Sequence, residues 1–242
     1  MADPRISIIE ERLRNIKHII AVSSGKGGVG KSLVASILAL ILARKGFNVG
    51  LFDLDFTSPS THLILGVEGL MPEEDKGVIP PLTNGIRYMS ITYYSGENVS
   101  PLRGSDISNA LIELLAITRW NSLDYLIIDM PPGISDSTLD LLRLVRRVKF
   151  LIVTSPSKLA FETVRKLIAL LREMNFPIIG LIENMDMKGS PYIREMAERL
   201  RINYLGSIPF DFALEDALGD VDALLKTKFS ESLMKIVDEI YN

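Results

Sequence analysis

The sequence predicts an α/β fold: one domain over residues 1–242, with a mostly parallel, twisted sheet of about seven or eight strands and helices on both faces. Apolar, β-branched runs alternate with helical patterns along the chain, which is typical of βαβ units. Hydrophobic residues form 47% of the chain, a share that suits strands buried on both faces. A glycine-rich loop lies between the first predicted strand and the first predicted helix.

Each predicted strand is a short apolar run, and each predicted helix repeats apolar residues at a period of 3.6. The predicted strands are residues 18–22, 48–52, 86–91, 125–128, 149–154, 177–182 and 204–208. The predicted helices are residues 31–45, 106–119, 136–147, 158–174 and 190–201. An apolar stripe over residues 226–242 predicts a last helix that packs on the domain, because it lacks the basic excess of a membrane-surface helix.

Two segments are predicted to lie outside this alternation. Residues 1–17 are charged and mixed, so we expect an N-terminal extension and no secretory signal. Residues 65–85 contain glycines, prolines and an acidic cluster, which favours a mobile surface loop over a domain boundary. The most apolar stretch, residues 33–43, is too short to span a bilayer. We therefore expect a cytoplasmic protein with no direct membrane insertion.

The composition excludes several classes of function. The chain has no cysteine, so disulfides, thiol catalysis and thiolate metal sites are excluded. The formal net charge is −3 and no basic tract occurs, so nucleic acid is an unlikely direct partner. The densest group of cations lies at the carboxyl end of a predicted helix, where cations are ordinary partners of the helix dipole. These cations are Arg143, Arg146, Arg147 and Lys149.

Residues 25–32, Gly-Lys-Gly-Gly-Val-Gly-Lys-Ser, match the phosphate-binding pattern G-x-x-x-x-G-K-[ST]. In this pattern backbone N–H groups contact phosphate oxygens, Lys31 reaches the β- and γ-phosphates, and the Ser32 hydroxyl can bind Mg²⁺. A chance glycine-rich turn is the alternative, but the position between a strand and a helix favours a nucleotide site. The predicted nucleotide contacts are Gly25, Lys26, Gly27, Gly28, Val29, Gly30, Lys31, Ser32 and Leu33.

Lys26 is a second lysine inside this loop. It lies near the start of the loop and is poorly placed to reach the phosphates that Lys31 serves. We therefore expect Lys26 to act on the nucleotide of a partner subunit, so the loop predicts both an ATPase and a dimer.

Three aspartates follow predicted strands, where ligands of open α/β sheets bind. Asp129 is expected to hold the hydrated magnesium, with Asp53 near the metal, while Asp55 orients the attacking water. A turn or helix cap is the alternative for Asp53 or Asp55. Gly133 is placed to contact a γ-phosphate through its backbone N–H, although its Pro-Pro-Gly segment could also be only a rigid turn.

These motifs together resemble the Mrp/ApbC branch of the MinD/ParA superfamily of P-loop ATPases, whose deviant phosphate loop has this extra lysine. The resemblance covers about residues 17–215 in the same order. The matching segments are residues 24–32, 53–60, 101–104, 120–133, 180–185 and 205–211.

The family resemblance implies a P-loop NTPase fold and a homodimer that sandwiches ATP at its interface, with Lys26 reaching across. It also implies that Asn184 hydrogen-bonds the adenine and that Pro209 packs near it. A turn at the end of a strand is the alternative role for Asn184.

Two features depart from the family pattern. Leu33 stands where the family usually has a threonine near the α-phosphate, so that contact is lost or replaced. Many members that carry iron–sulfur clusters have C-x-x-C after the segment that corresponds to residues 183–185, and this chain has no cysteine there. A cysteine-ligated iron–sulfur cluster is therefore not expected.

Three functions are compatible with these features. The preferred one is a slow, Mg²⁺-dependent ATPase of the Mrp type, linked to iron–sulfur cluster or metallocentre assembly through an unknown protein client that supplies the ligands. The second is a MinD/ParA-like spatial or chromosome-partitioning ATPase that acts by ATP-dependent partner binding. The third is an ATP-binding subunit that hardly hydrolyses. All three require ATP or ADP, with Mg²⁺ at the phosphates.

Overall fold

The computed structural model describes residues 4–95, 104–187, 189 and 191–241, over which strands and helices alternate. The strands are β1 (Ile16–Ser24), β2 (Val49–Asp53), β3 (Glu73–Glu74), β4 (Val78–Ile79), β5 (Leu82–Thr83), β6 (Ile86–Ser90), β7 (Leu123–Asp129), β8 (Val148–Thr154), β9 (Ile178–Asp186) and β10 (Tyr204–Pro209). The helices are α1 (Arg5–Leu13), α2 (Lys31–Arg44), α3 (Thr61–Leu65), α4 (Thr92–Ser95), α5 (Gly104–Ile117), α6 (Asp136–Leu144), α7 (Lys158–Glu173), α8 (Tyr192–Arg199), α9 (Val221–Leu224) and α10 (Lys228–Tyr241), with a 3₁₀ helix at Phe212–Ala217.

Within these described residues, eight strands form one sheet in the order β10-β9-β8-β1-β7-β2-β6-β5. The neighbouring strands are parallel except β5 and β6, which are antiparallel. The mostly parallel α/β fold is therefore confirmed. The register pairs Val22 of β1 with Asp129 of β7, and Asp129 with Asp53 of β2. The carboxyl ends of the central strands consequently meet at one edge of the sheet, which is the edge that binds ligands in such folds.

Helices cover both faces of the sheet because parallel neighbours need crossover connections. Helices α1, α5, α6, α7 and α8 contribute to the core of one face, while α2, α3, α9 and α10 contribute to the other. Side chains of β1 alternate between the two cores: Ile19 and Ala21 enter the first, whereas Ile20 and Val22 enter the second.

Helix α2 is apolar on all sides, and Val34, Leu38 and Leu42 are among its many buried residues. A helix that is apolar all round requires burial on several sides, and α2 obtains it from the sheet, α3 and α10. Phe229 and Leu233 of α10 are almost fully buried, so the last helix packs on the domain as predicted. In the described part of the chain, none of the helices is long and apolar enough to cross a membrane.

The structure adds elements that the sequence patterns did not predict. The N-terminal extension contains α1, whose Ile9 is fully buried against the core. Residues 65–85 contain β3, β4 and β5, and β5 joins the main sheet; their mobility stays a prediction. Of the segment 101–104, residues 101–103 lie outside the described residues, as does Ser190 at the start of the predicted helix 190–201.

Candidate functional site

The loop over residues 25–32 connects the end of β1 to the start of α2 and depends on its glycines. Gly28 and Gly30 have φ values of 78° and 82°, in the left-handed region that glycine adopts without strain. Gly25 lies against α7: a Cβ there would be 2.6 Å from the backbone nitrogen of Val164. The loop therefore bends tightly and begins helix α2 with its backbone N–H groups at the sheet edge.

A cavity of about 410 Å³ opens over this loop. Its lining combines the loop with three further segments, one after β2, one after β7 and one before α9. The lining residues are Ser24, Lys26, Gly27, Gly28, Gly30, Lys31, Ser32, Leu33, Asp55, Ser58, Ser60, Ile64, Pro132 and Leu218. Seven of the nine predicted loop contacts thus line the cavity, whereas Gly25 and Val29 are buried and are not part of its lining.

Lys31 is the electrostatic centre of the site and is only 6% exposed. Its ammonium nitrogen lies 2.5 Å from Oδ1 of Asp129 and 3.8 Å from Oδ2 of Asp55. The same nitrogen lies 3.2 Å from the hydroxyl oxygen of Ser32. Four residues from three separate sequence motifs therefore form one cluster beneath the cavity.

Asp129 is fully buried, and burial raises the pKa of its carboxyl, while the charge and hydrogen bond of Lys31 oppose that rise. Among the residues that the structure describes, no donor reaches its Oδ2 atom, although that atom is buried. A buried carboxylate oxygen without a donor is open to a partner such as an ordered water or an ion. Together with the Ser32 hydroxyl it forms a set of hard oxygen atoms, which fits a hydrated Mg²⁺.

Asp53 lies beside Asp129 in the sheet, but its oxygens are occupied. Oδ1 accepts the backbone N–H of Asp55 at 3.0 Å, and Oδ2 accepts the hydroxyl of Thr61 at 2.5 Å. Burial and the charge of Asp129 raise the pKa of Asp53 to about 7. Asp53 therefore anchors the segment after β2, and the predicted proximity to a metal stays a prediction.

Asp55 lies at the cavity wall and is fixed by its own loop. Its Oδ1 accepts the hydroxyl of Thr57 at 2.8 Å and the N–H of Ser58 at 3.2 Å. Its Oδ2 faces Lys31. The turn-cap alternative thus holds for one oxygen of Asp55, while the other oxygen remains available at the cavity.

Gly133 and Lys26 show two further arrangements at the loop. The Gly133 N–H donates to the carbonyl of Ser24 at 2.8 Å. Its predicted contact with a γ-phosphate therefore requires this hydrogen bond to break. Lys26 is exposed at the cavity, and its ammonium makes no ion pair with any residue in the described ranges. Lys26 therefore differs sharply from Lys31, as the sequence predicted.

A second cavity of about 240 Å³ lies on the other side of Leu33, which lines both cavities. Asn184 and Pro209 both line it, and their contact with adenine stays a prediction. Nδ2 of Asn184 donates to the carbonyl of Val29 at 2.9 Å, so this side chain also supports the phosphate loop. The remaining lining residues are Met185, Phe210, Asp211, Phe212, Leu214, Glu215 and Phe229.

Some site residues were not predicted from the sequence. Ile64 and Leu218 line the first cavity although they are distant in the chain. Phe212 lines the second cavity and is 85% exposed, with its ring 4.8 Å from that of Phe210. An aromatic residue after the Pro-Phe-Asp segment was the available signal for Phe212, but Ile64 and Leu218 carry no local signal.

The strand–loop–helix geometry, the buried lysine and the aspartates at the strand ends define a P-loop NTPase. The model of the ParA family, described as NUBPL iron-transfer P-loop NTPase, matches residues 15–242. The chain belongs to this family, and therefore to the MinD/ParA superfamily. It lacks the C-x-x-C of the iron–sulfur carrier members, because it contains no cysteine.

Curated relatives named iron-sulfur cluster carrier protein support this placement. The protein of Saccharolobus solfataricus is 38% identical over 86% of this chain and 76% of its own length. The protein of Methanocaldococcus jannaschii is 37% identical over 96% of this chain and 87% of its own length. The protein of Pseudomonas fragi is 44% identical over 72% of this chain. The chain spans 62% of the Pseudomonas relative and 60% of a relative from Aquifex aeolicus.

Solved structures show the same fold. One is a nucleotide-binding protein from Archaeoglobus fulgidus in complex with ADP, in which cobalt was found. It is 32% identical to this chain, and the two structures superpose with a TM-score of 0.76. That similarity covers 91% of this chain and 93% of the Archaeoglobus chain. The cell division ATPase MinD of Pyrococcus furiosus is 21% identical with a TM-score of 0.65, and shows the fold alone.

Proposed function

We propose that this protein is a Mg²⁺-dependent ATPase, a single domain over residues 1–242, that hydrolyses ATP slowly as a cytoplasmic homodimer. We further propose that it serves iron–sulfur cluster or metallocentre assembly through a client protein. The observation that carries the ATPase is the position of the Lys31 ammonium, which is buried among Asp129, Asp55 and Ser32 beneath the 410 Å³ cavity.

Catalysis in such a site depends on positioning and on stabilising charge. The backbone N–H groups of the loop and the Lys31 ammonium bind the β- and γ-phosphates. Asp55 accepts a hydrogen bond from the attacking water through the oxygen that its loop leaves available. The water oxygen bonds to the γ-phosphorus as the bond to the β–γ bridging oxygen breaks, which yields ADP and inorganic phosphate.

Ser32 and Asp129 are the residues that would hold Mg²⁺, with Asp53 behind them. The ion would supply positive charge to the β- and γ-phosphate oxygens. On the other side of Leu33, Asn184 and Pro209 contact the adenine, and the Oδ1 atom of Asn184 is oriented for this role because Nδ2 is bonded to Val29.

We expect Lys31→Ala to lose nucleotide binding, because the buried carboxylates would then face the phosphates without a compensating cation. Calorimetric titration with ADP should show a loss of affinity of roughly 100-fold, in line with removal of a buried charged partner. Lys166→Ala, which removes an exposed lysine of α7, is the matched control and should bind normally. A normal affinity in the Lys31 variant would contradict the proposed phosphate site.

The homodimer is supported by the exposed Lys26 at the cavity, which is free of ion pairs in the described residues. A second subunit placed over the cavity would receive this ammonium at its own nucleotide. The added positive charge would then act as an arginine finger does in other NTPases.

The link to iron–sulfur clusters rests on the relatives that are named for this role. Because these 242 residues contain no cysteine, the cluster is cargo whose thiolate ligands must come from the client. A stoichiometric cluster bound by the purified protein after anaerobic reconstitution would contradict this division of roles.

We expect Asp55→Ala to accumulate the ATP-bound dimer, because the attacking water is no longer oriented. Light scattering after size exclusion should give a dimer in saturating ATP, and monomers would count against the role of Asp55. Affinity purification of the trapped variant from its native cell should recover cluster-assembly proteins, with Lys31→Ala as the control that recovers none. Recovery of chromosome-associated proteins would favour the spatial-organiser alternative.

A further inference from the structure

Helix α3 follows the loop that carries Asp55, and its first residue is fixed to the sheet. The Thr61 hydroxyl donates to Asp53 at 2.5 Å, and the Thr61 N–H donates to the same carboxylate oxygen at 3.3 Å. The Tyr88 hydroxyl lies 2.9 Å from the Thr61 hydroxyl. The start of α3 is therefore hydrogen-bonded to β2 and to Tyr88 of β6.

The end of α3 and the segment before α9 are in close backbone contact. Gly66, which follows α3 with a φ of 62°, faces Gly219: a Cβ on Gly66 would overlap the Gly219 carbonyl oxygen and lie 3.0 Å from its carbonyl carbon. The Gly219 N–H donates to the carbonyl of Ile64 at 3.2 Å. No side chain separates the two segments, so a displacement of one is transmitted to the other.

This contact joins the two cavities of the site. Ile64 of α3 and Leu218 beside Gly219 both line the 410 Å³ cavity over the loop of residues 25–32, the phosphate cavity. The 3₁₀ helix that precedes Leu218 provides Leu214 and Glu215 to the 240 Å³ cavity that contains Asn184, the base-side cavity. A continuous path therefore runs from the base-side cavity, through Gly219 and α3, to the Asp55 loop.

We propose that the Gly66–Gly219 contact couples base recognition to hydrolysis, and that Gly66 is a positioning residue for Asp55. The inference rests on the proposed ATPase function. A purine seated in the base-side cavity holds the 3₁₀ helix, and the Gly219 backbone then holds α3 and the Asp55 loop in place. The binding energy of the base thereby assembles the hydrolytic site, as in induced fit.

The test compares Gly66→Ala with Gly69→Ala, because both glycines have similar φ values, 62° and 67°. A Cβ on Gly69 meets nothing within 4 Å, so only the first substitution disturbs the contact. The turnover number kcat is measured at saturating ATP and at saturating UTP, whose single-ring base fills the cavity less. Wild type and Gly69→Ala should turn over ATP roughly tenfold faster than UTP.

In Gly66→Ala the kcat for ATP should fall roughly tenfold, to the UTP value, because misplacement of a reacting group by about 1 Å has effects of this size or larger. The kcat for UTP should change little. An equal loss for both nucleotides would show a merely structural role and overturn the proposal, as would equal ATP and UTP rates in wild type. Absence of hydrolysis in wild type would instead overturn the ATPase itself.

Thermal melting accompanies each variant, and Gly219→Val provides a second probe of the same contact. A Cβ on Gly219 would already touch α3, at 3.7 Å from the Leu63 carbonyl oxygen and 3.9 Å from the Gly66 Cα, so the methyl groups of valine would press on α3. Gly46→Val is the control, because Gly46 has a similar φ, 89° against 85°, and a Cβ there meets nothing within 4 Å. Loss of the ATP preference in Gly219→Val and its retention in Gly46→Val would support the coupling, and a retained preference in folded Gly66→Ala or folded Gly219→Val would overturn it.

Discussion

Two lysines of one loop have opposite environments. Lys31 begins α2 and is buried among carboxylates, whereas Lys26, five residues earlier, is exposed at the cavity. The helix start turns the Lys31 side chain toward the strand ends, while the early part of the loop faces outward. The position of each lysine within the motif predicted different roles for them, and the structure surrounds only Lys31 with carboxylates.

We expect Lys26→Ala to keep ADP affinity and to lose hydrolysis, because the lysine makes no ion pair with Asp129 or Asp55 and, in the proposed dimer, would supply charge to the partner's nucleotide. The decrease in kcat should be roughly 10³-fold, the scale of removing an arginine finger. Calorimetry and phosphate release measure the two quantities separately. Unchanged hydrolysis would remove the basis for the cross-subunit role.

At the scale of elements, β9 is longer than its sequence pattern indicates. The apolar run ends at Ile182, but the strand continues to Asp186 because β10 pairs with it, with Ile208 opposite Asn184. A polar residue near a strand end is typical of a turn. The pairing partner, which is distant in the chain, instead places Asn184 within the strand and against the phosphate loop.

The packing of the phosphate loop on α7 predicts a contrast between two of its glycines. Gly25→Ala places a Cβ 2.6 Å from the Val164 nitrogen, whereas the nearest atom to a Cβ on Gly27 is 4.0 Å away. We expect the first substitution to lower the free energy of unfolding by roughly 1–3 kcal/mol. Urea denaturation measures both variants, with Gly27→Ala as the control that stays near wild type. If the two variants have equal free energies of unfolding, α7 accommodates the added Cβ without loss of stability.

At the scale of the whole molecule, the sheet register places Asp53 beside Asp129 in a buried layer. Within its own sequence motif, Asp53 has one carboxylate neighbour, Asp55, and Asp129 has none. Burial and the charge of Asp129 raise the pKa of Asp53, while burial and the charge of Asp55 raise the pKa of Asp129, so both rises come from the assembled fold. Stability should consequently depend on pH.

The folded-state pKa of Asp53 is about 7, against an ordinary value of 3.8. Between these values the folded state binds more protons than the unfolded state, so the free energy of unfolding should fall as pH rises through this window. Asp53→Asn should flatten this decline in urea denaturation at about pH 5 and about pH 8. Asp222→Asn, at an exposed aspartate, should keep the wild-type slope. If the free energy of unfolding of Asp53→Asn falls with pH as steeply as that of wild type, groups other than Asp53 cause the pH dependence.

Two short segments show where sequence patterns do not suffice. Helix α1 has a mixed sequence, and it is held because Ile9 and Leu13 are buried and Arg147 donates to the Leu13 carbonyl at 2.8 Å. Strand β5 has two residues and exists through pairing with β6. Both depend on partners far along the chain, and local propensity carries no information about such partners.

The sequence by itself determined the parallel α/β class, the phosphate loop and the aspartates at the strand ends, because periodicity and motif spacing are local properties of the chain. The tertiary structure decided which groups act together. Sheet register placed Asp129 between Lys31 and Asp53, strand pairing turned Asn184 toward Val29, and backbone packing brought Gly219 against Gly66. These contacts join segments distant in sequence, and only close packing of the whole chain specifies them.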